Sequence, residues 1–370
     1  MSGATFLTGA TGFLGSYAIL ELLRITDAPV FALVRAPTRE RAVERLWTSL
    51  QAHVDLPGFW AAMERIVPVC GDLHAPELGL DPADRDRIVS EADAILHIAA
   101  SLNRKSSKAC FNTNLRGTLS VTKLALELVE AGHLRRFTDV STSAVAGVRE
   151  RCVVLEDKSI DWDRSDYDPY ARTKRFAEHM ARELLPSDRV LTLRPSTVMG
   201  DSTRDDAWIT DMVVATAGLA QMRVVPLSRS TRVDIVPGDW VGKGVATLHA
   251  AAALPHDVFH LSAGLGSPTV GSVADALATD GHRLRFAPQV GGGFHWLLRG
   301  MDRLPRGEVQ RAAAVMKVFW PHITNDVVFD NSRASAALGP PPRWEPIAAG
   351  LVRHAIDAGY RNHRVPLPPG

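Results

Sequence analysis

Thr5-Phe6-Leu7-Thr8-Gly9-Ala10-Thr11-Gly12-Phe13-Leu14-Gly15 decides the fold. Thr5 to Thr8 has the composition of a short buried strand. Glycines follow at Gly9, Gly12 and Gly15. From Phe13 onward the apolar residues take a helical period: Leu14, Ala18, Ile19, Leu22 and Leu23. A strand, a glycine turn and a helix in that order form a phosphate-binding corner. Gly9 permits the tight turn, Gly12 lets a pyrophosphate approach bare backbone, and Gly15 lets the helix pack close to the strand. The helix N-terminus then presents unpaired N–H groups to the anion. The spacing is G-x-x-G-x-x-G, which acquires meaning from the strand before it and the helix after it.

The 370 residues suit one large domain with a smaller companion. Hydrophobic residues make up 46% and charged residues 22%, ordinary for a globular protein. A net charge of +1 gives no general reason to expect nucleic acid or an anionic membrane as partner. Cys70, Cys110 and Cys152 are sparse and odd in number, the pattern of reduced thiols in a cytoplasmic protein. A strand starting so near Met1 leaves no room for a signal peptide. No apolar run reaches the roughly 18 residues of a membrane-spanning helix. No repeat or metal-ligand cluster is apparent, and the histidines do not fall at zinc spacings.

Val30 to Val34 is a second apolar strand, ending at Arg35. An acid at this place accepts from a ribose 2′-hydroxyl, whereas an arginine pairs with a 2′-phosphate, so Arg35 predicts NADP over NAD. Arg39 and Arg41, close behind, read better as residues that solvate a helix start. A helix is predicted over Thr38–His53 and a third strand over Ile66–Cys70, followed by Gly71-Asp72-Leu73. Leu73 is placed to pack on an adenine ring and Asp72 to accept from its amino group; a plain turn aspartate is the competing reading. A fourth strand, Ala94–Ala100, brings the small residues Ala99 and Ala100 to the sheet edge where ligands bind. His97, mid-strand, reads as a satisfied core histidine. A long helix is predicted over Asn112–Gly132, with Asn114 bridging backbones near its start.

The fifth strand, Phe137–Val140, delivers Ser141-Thr142-Ser143 to the same edge. Tyr170 and Lys174 then share one face of a helix. An ammonium beside a phenol makes the phenol a usable proton donor near neutral pH. A sixth strand, Val190–Leu193, runs into Arg194-Pro195-Ser196-Thr197-Val198. Beyond it, the pattern predicts a helix over Trp208–Met222, a helix at Trp240 capped by Asp239, and a late strand over Val258–Leu261. Gly291–Val318 reads as a helical hairpin, either a lid or docking face or extra core. The Pro-rich tail is expected to fray.

These motifs together resemble the extended short-chain dehydrogenase/reductases over nearly the whole chain. The long insertion before Gly71-Asp72-Leu73, Pro76-Glu77-Leu78-Gly79-Leu80 after it, and Leu193-Arg194-Pro195-Ser196 before Gly200-Asp201-Ser202 are similar to the thioester-reductase and fatty-acyl reductase branch. The resemblance implies an α/β, Rossmann-type doubly wound parallel sheet over residues 1–200. Residues 201–370 would be mainly a substrate-binding subdomain, with some segments returning to the first. It implies NADPH-dependent reduction of an acyl thioester to an aldehyde and in some cases to an alcohol. By position, Tyr170 would protonate the nascent oxyanion, Thr142 would hold that oxygen, and Lys174 would bind the nicotinamide ribose and tune Tyr170. Gly9, Thr11, Gly12, Phe13, Leu14, Gly15, Arg35, Asp72, Leu73, Ala99, Ala100, Asn114, Pro195 and Val198 would complete the cofactor site. The acyl group would arrive on coenzyme A or a separate phosphopantetheinyl carrier protein; Arg223, Arg229 and Arg232 are candidates to meet its phosphate or an acidic carrier, although each singly reads better as part of a solvated basic face. The protein itself would be a monomer or dimer. Two other readings stand beside this one: an NADP-dependent ketone, alcohol or sugar-nucleotide enzyme on the same scaffold, and a cofactor-sensing regulator without chemistry.

Overall fold

The computed structural model describes residues 3–221, 224–278, 285–301, 317, 320, 323–324 and 326–368. Seven parallel strands make the central sheet: β1 (Ala4–Thr8), β2 (Val30–Val34), β3 (Ile66–Cys70), β4 (Ala92–His97), β5 (Arg136–Val140), β6 (Val190–Pro195) and β7 (Val258–Leu261). Their order is β3-β2-β1-β4-β5-β6-β7. The chain steps outward one way from β1 and the other way from β4. A crevice opens at that switch point, beyond the strands' carboxyl ends.

Helices cover both faces, which is why β1 and β2 are buried at every residue. Alternation sorts the side chains. Phe6, Phe31, Ile95 and Phe137 stand opposite one another across four strands and fill one core. Leu7, Ala32 and Leu96 point the other way, into a core shared with Ile19, Leu22, Leu46 and Trp240. Each fully buried aromatic or branched chain contributes roughly 1.5–3 kcal/mol, and a one-residue register slip would reverse the whole set. Helix α1 (Phe13–Ile25) starts from the glycine corner, α2 (Arg39–Leu50) follows β2, and α3 (Thr118–Glu130) precedes β5. Helix α4 (Pro169–Leu184) carries the Tyr170/Lys174 pair. Further along lie α5 (Asp211–Ala220), α6 (Gly238–Ala250) and α7 (Glu345–Asp357).

Late segments return to the sheet. Strand β7 pairs with β6 in parallel. Helix α6 lies against α1 and sends His249 through to the sheet, where its ring bonds Thr5 at 3.2 Å and Thr138 at 2.8 Å. Among the described residues, no helix is long and apolar enough to cross a membrane.

Several expected boundaries move. Strand β4 ends at His97, not Ala100. The single helix expected over residues 112–132 is a short turn, Ser107–Cys110, then a π-helical run, Phe111–Gly117, and then α3. The wide turn coincides with Asn114, whose side chain reaches back to Ser101, and such bulges collect at functional positions. Helix α2 is shorter than expected, although Thr38 caps it by accepting from the Arg41 N–H. Helix α5 spans Asp211–Ala220 within the stretch expected over 208–222. Asp239 is not the cap of α6: that helix begins at Gly238 after Pro237, and the Asp239 carboxylate accepts from the Ser202 N–H at 2.9 Å. The tail does not fray at Val365. Its carbonyl accepts from the Trp47 indole at 2.9 Å, and its N–H donates to Gln51 at 2.7 Å. Of the expected hairpin, Gly291–Met301 is helical and 302–316 lies outside the described residues.

Candidate active site

The corner between β1 and α1 is closed by backbone alone. Gly9 takes φ +86°, and a Cβ on it would sit 2.7 Å from the Ala99 nitrogen. A Cβ on Gly15 would lie 1.9 Å from the Gly9 carbonyl oxygen. The Gly12 N–H closes the turn onto the Gly9 carbonyl at 2.9 Å, and Gly12 is also the N-cap of α1. A cleft of about 730 Å³ runs from this corner in both directions. Toward β2 and β3 it is lined by Arg35, Arg45, Asp72, Leu73 and His74. Toward β5 and β6 it is lined by Ala99, Ala100, Thr142, Tyr170, Pro195 and Val198.

The cationic end holds more than Arg35. Arg45 also faces the cleft, and its guanidinium donates to the Arg35 carbonyl at 2.6 Å. Sequence reasoning missed Arg45. Its signal was helical spacing: Ser49, one turn on, donates to the Thr11 carbonyl at 2.8 Å, so that face of α2 looks at the glycine corner. Arg39 and Arg41 pair instead with Asp84 and Glu44, as solvating residues. Asp72 is the turn aspartate of the competing reading, its side chain accepting from the His74 N–H at 2.9 Å, and it also faces the cleft.

The reactive end is organised by α4. Asp168 caps it, accepting from the Ala171 N–H at 2.8 Å. Its second oxygen accepts from Arg104 at 2.7 Å, and that guanidinium lies 4.4 Å over the Tyr170 ring. Tyr170 is 7% exposed and lines the cleft. Arg104 was not anticipated, because it sits in an irregular loop with no periodicity to mark it. Thr142 lies two residues beyond β5, its hydroxyl oxygen accepting from the Ala144 N–H at 3.3 Å. On the far side of α4, Glu178 accepts from Arg194 of β6 at 2.8 Å, with both groups buried, which clamps the helix to the sheet. Burial alone would raise the Glu178 carboxyl, but the Arg194 charge and hydrogen bonds hold it below the usual range.

Two expected site residues do not line the cleft. Lys174 is fully buried behind Tyr170, its ammonium 3.0 Å from the Asp139 carboxylate of β5. Burial pushes the Asp139 carboxyl up even against that neighbouring charge. Asn114 is likewise buried. Its carbonyl accepts from the Ser101 N–H at 2.6 Å, and its amide donates to the Ser101 carbonyl at 3.2 Å and to Thr173 of α4 at 3.1 Å. Asn114 therefore does bridge backbone, and it ties the cleft floor to the helix bearing Tyr170.

His97 is the core histidine expected, and its partners assign its tautomer. The Thr118 hydroxyl donates to the Asn114 carbonyl at 2.7 Å, so it accepts from His97 Nε2–H at 2.9 Å. Nδ1 then accepts from Thr8 at 2.7 Å, and Thr8 Oγ1 accepts from the Ala99 N–H at 3.3 Å. Burial, helped by the Lys174 charge, lowers the His97 pKa to about 3. The ring is a neutral strut between the glycine corner and Asn114.

A second, smaller cavity of about 120 Å³ adjoins the reactive end. Ser143, Ala144, Ser196, Thr197 and Met212 line both spaces. Of the arginines proposed for a carrier phosphate, Arg229 pairs with Asp275 and Arg232 lines this small cavity. Arg223 lies outside the described residues.

Residues 7–245 match the model of an NAD-binding family described as male sterility protein. The chain belongs to that family. It stands among the extended short-chain dehydrogenase/reductases, in the branch of terminal reductase domains and fatty-acyl reductases. The family binds a nicotinamide cofactor, and the glycine-walled corner of this cleft suits such a ligand. The chain is 32% identical over 278 residues to the L-2-aminoadipate reductase large subunit of Penicillium chrysogenum, covering 70% of this chain and 19% of that protein. It is 30% identical over 273 residues to the isonitrile lipopeptide synthase of Mycobacterium tuberculosis, covering 67% of this chain and 11% of that one. The chain thus spans a fifth or less of those two relatives. The crystal structure of the terminal R domain from the myxalamid PKS-NRPS biosynthetic pathway superposes with a TM-score of 0.82 at 27% identity, covering 97% of this chain and 92% of that one.

Proposed function

We propose that this protein reduces an acyl thioester to an aldehyde with NADPH, the acyl group being carried on coenzyme A or on a phosphopantetheinyl carrier protein. The observation that carries the reading is the position of Tyr170 and Thr142. They line the long cleft, which meets a small, mainly apolar cavity at Ser143, Ala144 and Met212. Bound NADPH would supply the hydride that reduces the carbonyl carbon. Thr142 would donate a hydrogen bond to the substrate oxygen, where negative charge develops. Tyr170 would give its phenolic proton to that oxygen as the charge builds. The C–S bond would then break as the hydroxyl proton returns to the Tyr170 oxygen, and the departing thiolate would take a proton from water, leaving aldehyde and thiol. Lys174, held by Asp139, would keep a fixed positive charge behind the phenol, and Arg104 would orient its ring.

Arg35 and Arg45 support NADP over NAD, since two guanidinium groups at the end of β2 suit a 2′-phosphate. We assign residues 1–200 mainly to the cofactor and 201–370 mainly to the substrate. Helix α5, the segment Val270–Ala276 and Trp344 just before α7, which wall the small cavity, favour that division. The test is NADPH oxidation by the purified protein. Acyl-CoA or carrier-bound acyl groups are expected to support it with aldehyde release. Simple ketones and nucleotide sugars are expected to fail, and turnover of those alone would replace the reading.

A further inference from the structure

The small cavity that meets the cleft at Ser143, Ala144 and Met212 carries more than a place for an acyl chain. We propose that it is a size-limited acyl subsite, selecting thioesters whose side chain is compact and uncharged: an aryl or branched alkyl group of about benzene's size. The proposal rests on the thioester-reductase reading and adds a substrate class to it.

Continuity is the first argument. Ser143, Ala144 and Met212 border both the cleft and the cavity, so a carbonyl seated at Thr142 and Tyr170 can send its chain directly inward. Volume is the second. The cavity measures about 120 Å³, and an apolar cavity of roughly 150 Å³ holds one benzene. A long fatty chain does not fit in that space.

The walls are also backed. Val225 and Leu227 are buried in one apolar cluster with Phe294 and Trp320, whose ring centroids lie 4.7 Å apart. Trp344 closes another side, its indole donating to the Met199 carbonyl at 2.9 Å. On these two sides, extending the cavity would mean repacking a cluster, and close-packed interiors resist that.

Polarity is the last argument. The Thr216 hydroxyl is used by the Met199 sulfur at 3.7 Å. Asp234 accepts from the Ala263 N–H at 2.8 Å. Burial raises the Asp234 carboxyl to about 6, against the hydrogen bonds that lower it. Arg232 lies two residues away with the opposite charge, so the wall favours neither an anionic nor a cationic chain.

The test is a series of pantetheine thioesters sharing one handle: acetyl, benzoyl, 3-methylbutanoyl, dodecanoyl, glutaryl and 6-aminohexanoyl. With NADPH present, kcat/KM for benzoyl and 3-methylbutanoyl is expected to exceed that for the last three by at least about tenfold. Dodecanoyl, glutaryl or aminohexanoyl turned over as well as benzoyl would overturn the proposal. Ala215→Leu fills the cavity from α5 and is expected to lower the benzoyl-to-acetyl ratio at least about tenfold. Ala274→Leu, from the segment Val270–Ala276, gives the same readout if the first variant fails to fold. An unchanged ratio in both folded variants contradicts the proposal. If no thioester oxidises NADPH, the reductase reading falls by itself. Titration of benzyl alcohol into the NADPH-loaded protein then decides the subsite: at least about tenfold weaker binding to Ala215→Leu supports it, and equal binding overturns it.

Discussion

The long cleft and the smaller cavity proposed for the acyl group share a wall but are built from different materials. The cleft is made of strand ends and bare backbone: the Gly9 turn, the approach of Gly15 to Gly9, and the small residues Ala99 and Ala100. The cavity is lined mainly by side chains scattered along the later half of the chain, among them Ala215 of α5, Val225, Leu227, Val273, Phe329 and Trp344. A site made of backbone demands particular residues, because only glycine fits where a Cβ has no room. A site made of apolar side chains accepts many combinations of equal volume.

The largest expected effect comes from a methyl group in the cleft. In Gly15→Ala the new Cβ meets a main-chain carbonyl that cannot move without moving β1. We expect loss of measurable NADPH binding and a cost of more than about 3 kcal/mol in denaturant unfolding. Retained binding would show that the corner is softer than described. Next is the cationic end. Replacing both Arg35 and Arg45 by Ala is expected to weaken NADPH about 10–100-fold while leaving NADH nearly unaffected, measured by fluorescence titration. Equal loss for both cofactors would place the arginines elsewhere.

The sheet beneath the cleft carries a pH signature. Burial, the main cause at each, lowers His97 and His249 to about 3 and His53 and His260 to about 4. The folded state disfavours their protonated forms. Their stabilisation is therefore complete above the ordinary histidine pKa near 6.5 and is lost as pH falls from there toward 3. The expected slope is at most about 1.4 kcal/mol per pH unit for each histidine. Thermal unfolding scanned from pH 7.5 to 4 checks this, and a flat Tm would contradict it. The smallest effect belongs to the substrate side. A Cβ on Gly350 in α7 would lie 2.1 Å from Asp205, but that neighbour is an exposed carboxylate free to swing away. Gly350→Ala should therefore change stability by less than about 1 kcal/mol, with helix propensity in its favour.

The same contrast explains what was legible in the sequence. Glycine spacing and apolar runs located β1, α1 and the next strands of the sheet, and the Tyr170/Lys174 spacing put both residues on α4. The π-helical run at Asn114 was not legible, since its cause is a side chain turned toward Ser101, thirteen residues back. Nor was the burial of Lys174 against Asp139, which takes two separate elements to assemble. Arg104 carried no periodic signal, and Arg45 carried one that the helix pattern contained. The acyl cavity was invisible because Met212, Val225 and Trp344 have no local pattern that joins them.

The central claim is that Tyr170 protonates the oxygen of a thioester carbonyl as NADPH reduces it. Single-turnover NADPH oxidation with a reactive thioester, comparing wild type with Tyr170→Phe, tests it most directly. The account predicts a rate about 10²–10⁴-fold lower in the variant, with NADPH affinity unchanged and one aldehyde formed per NADPH consumed by the wild type. A variant that turns over at the wild-type rate would contradict it.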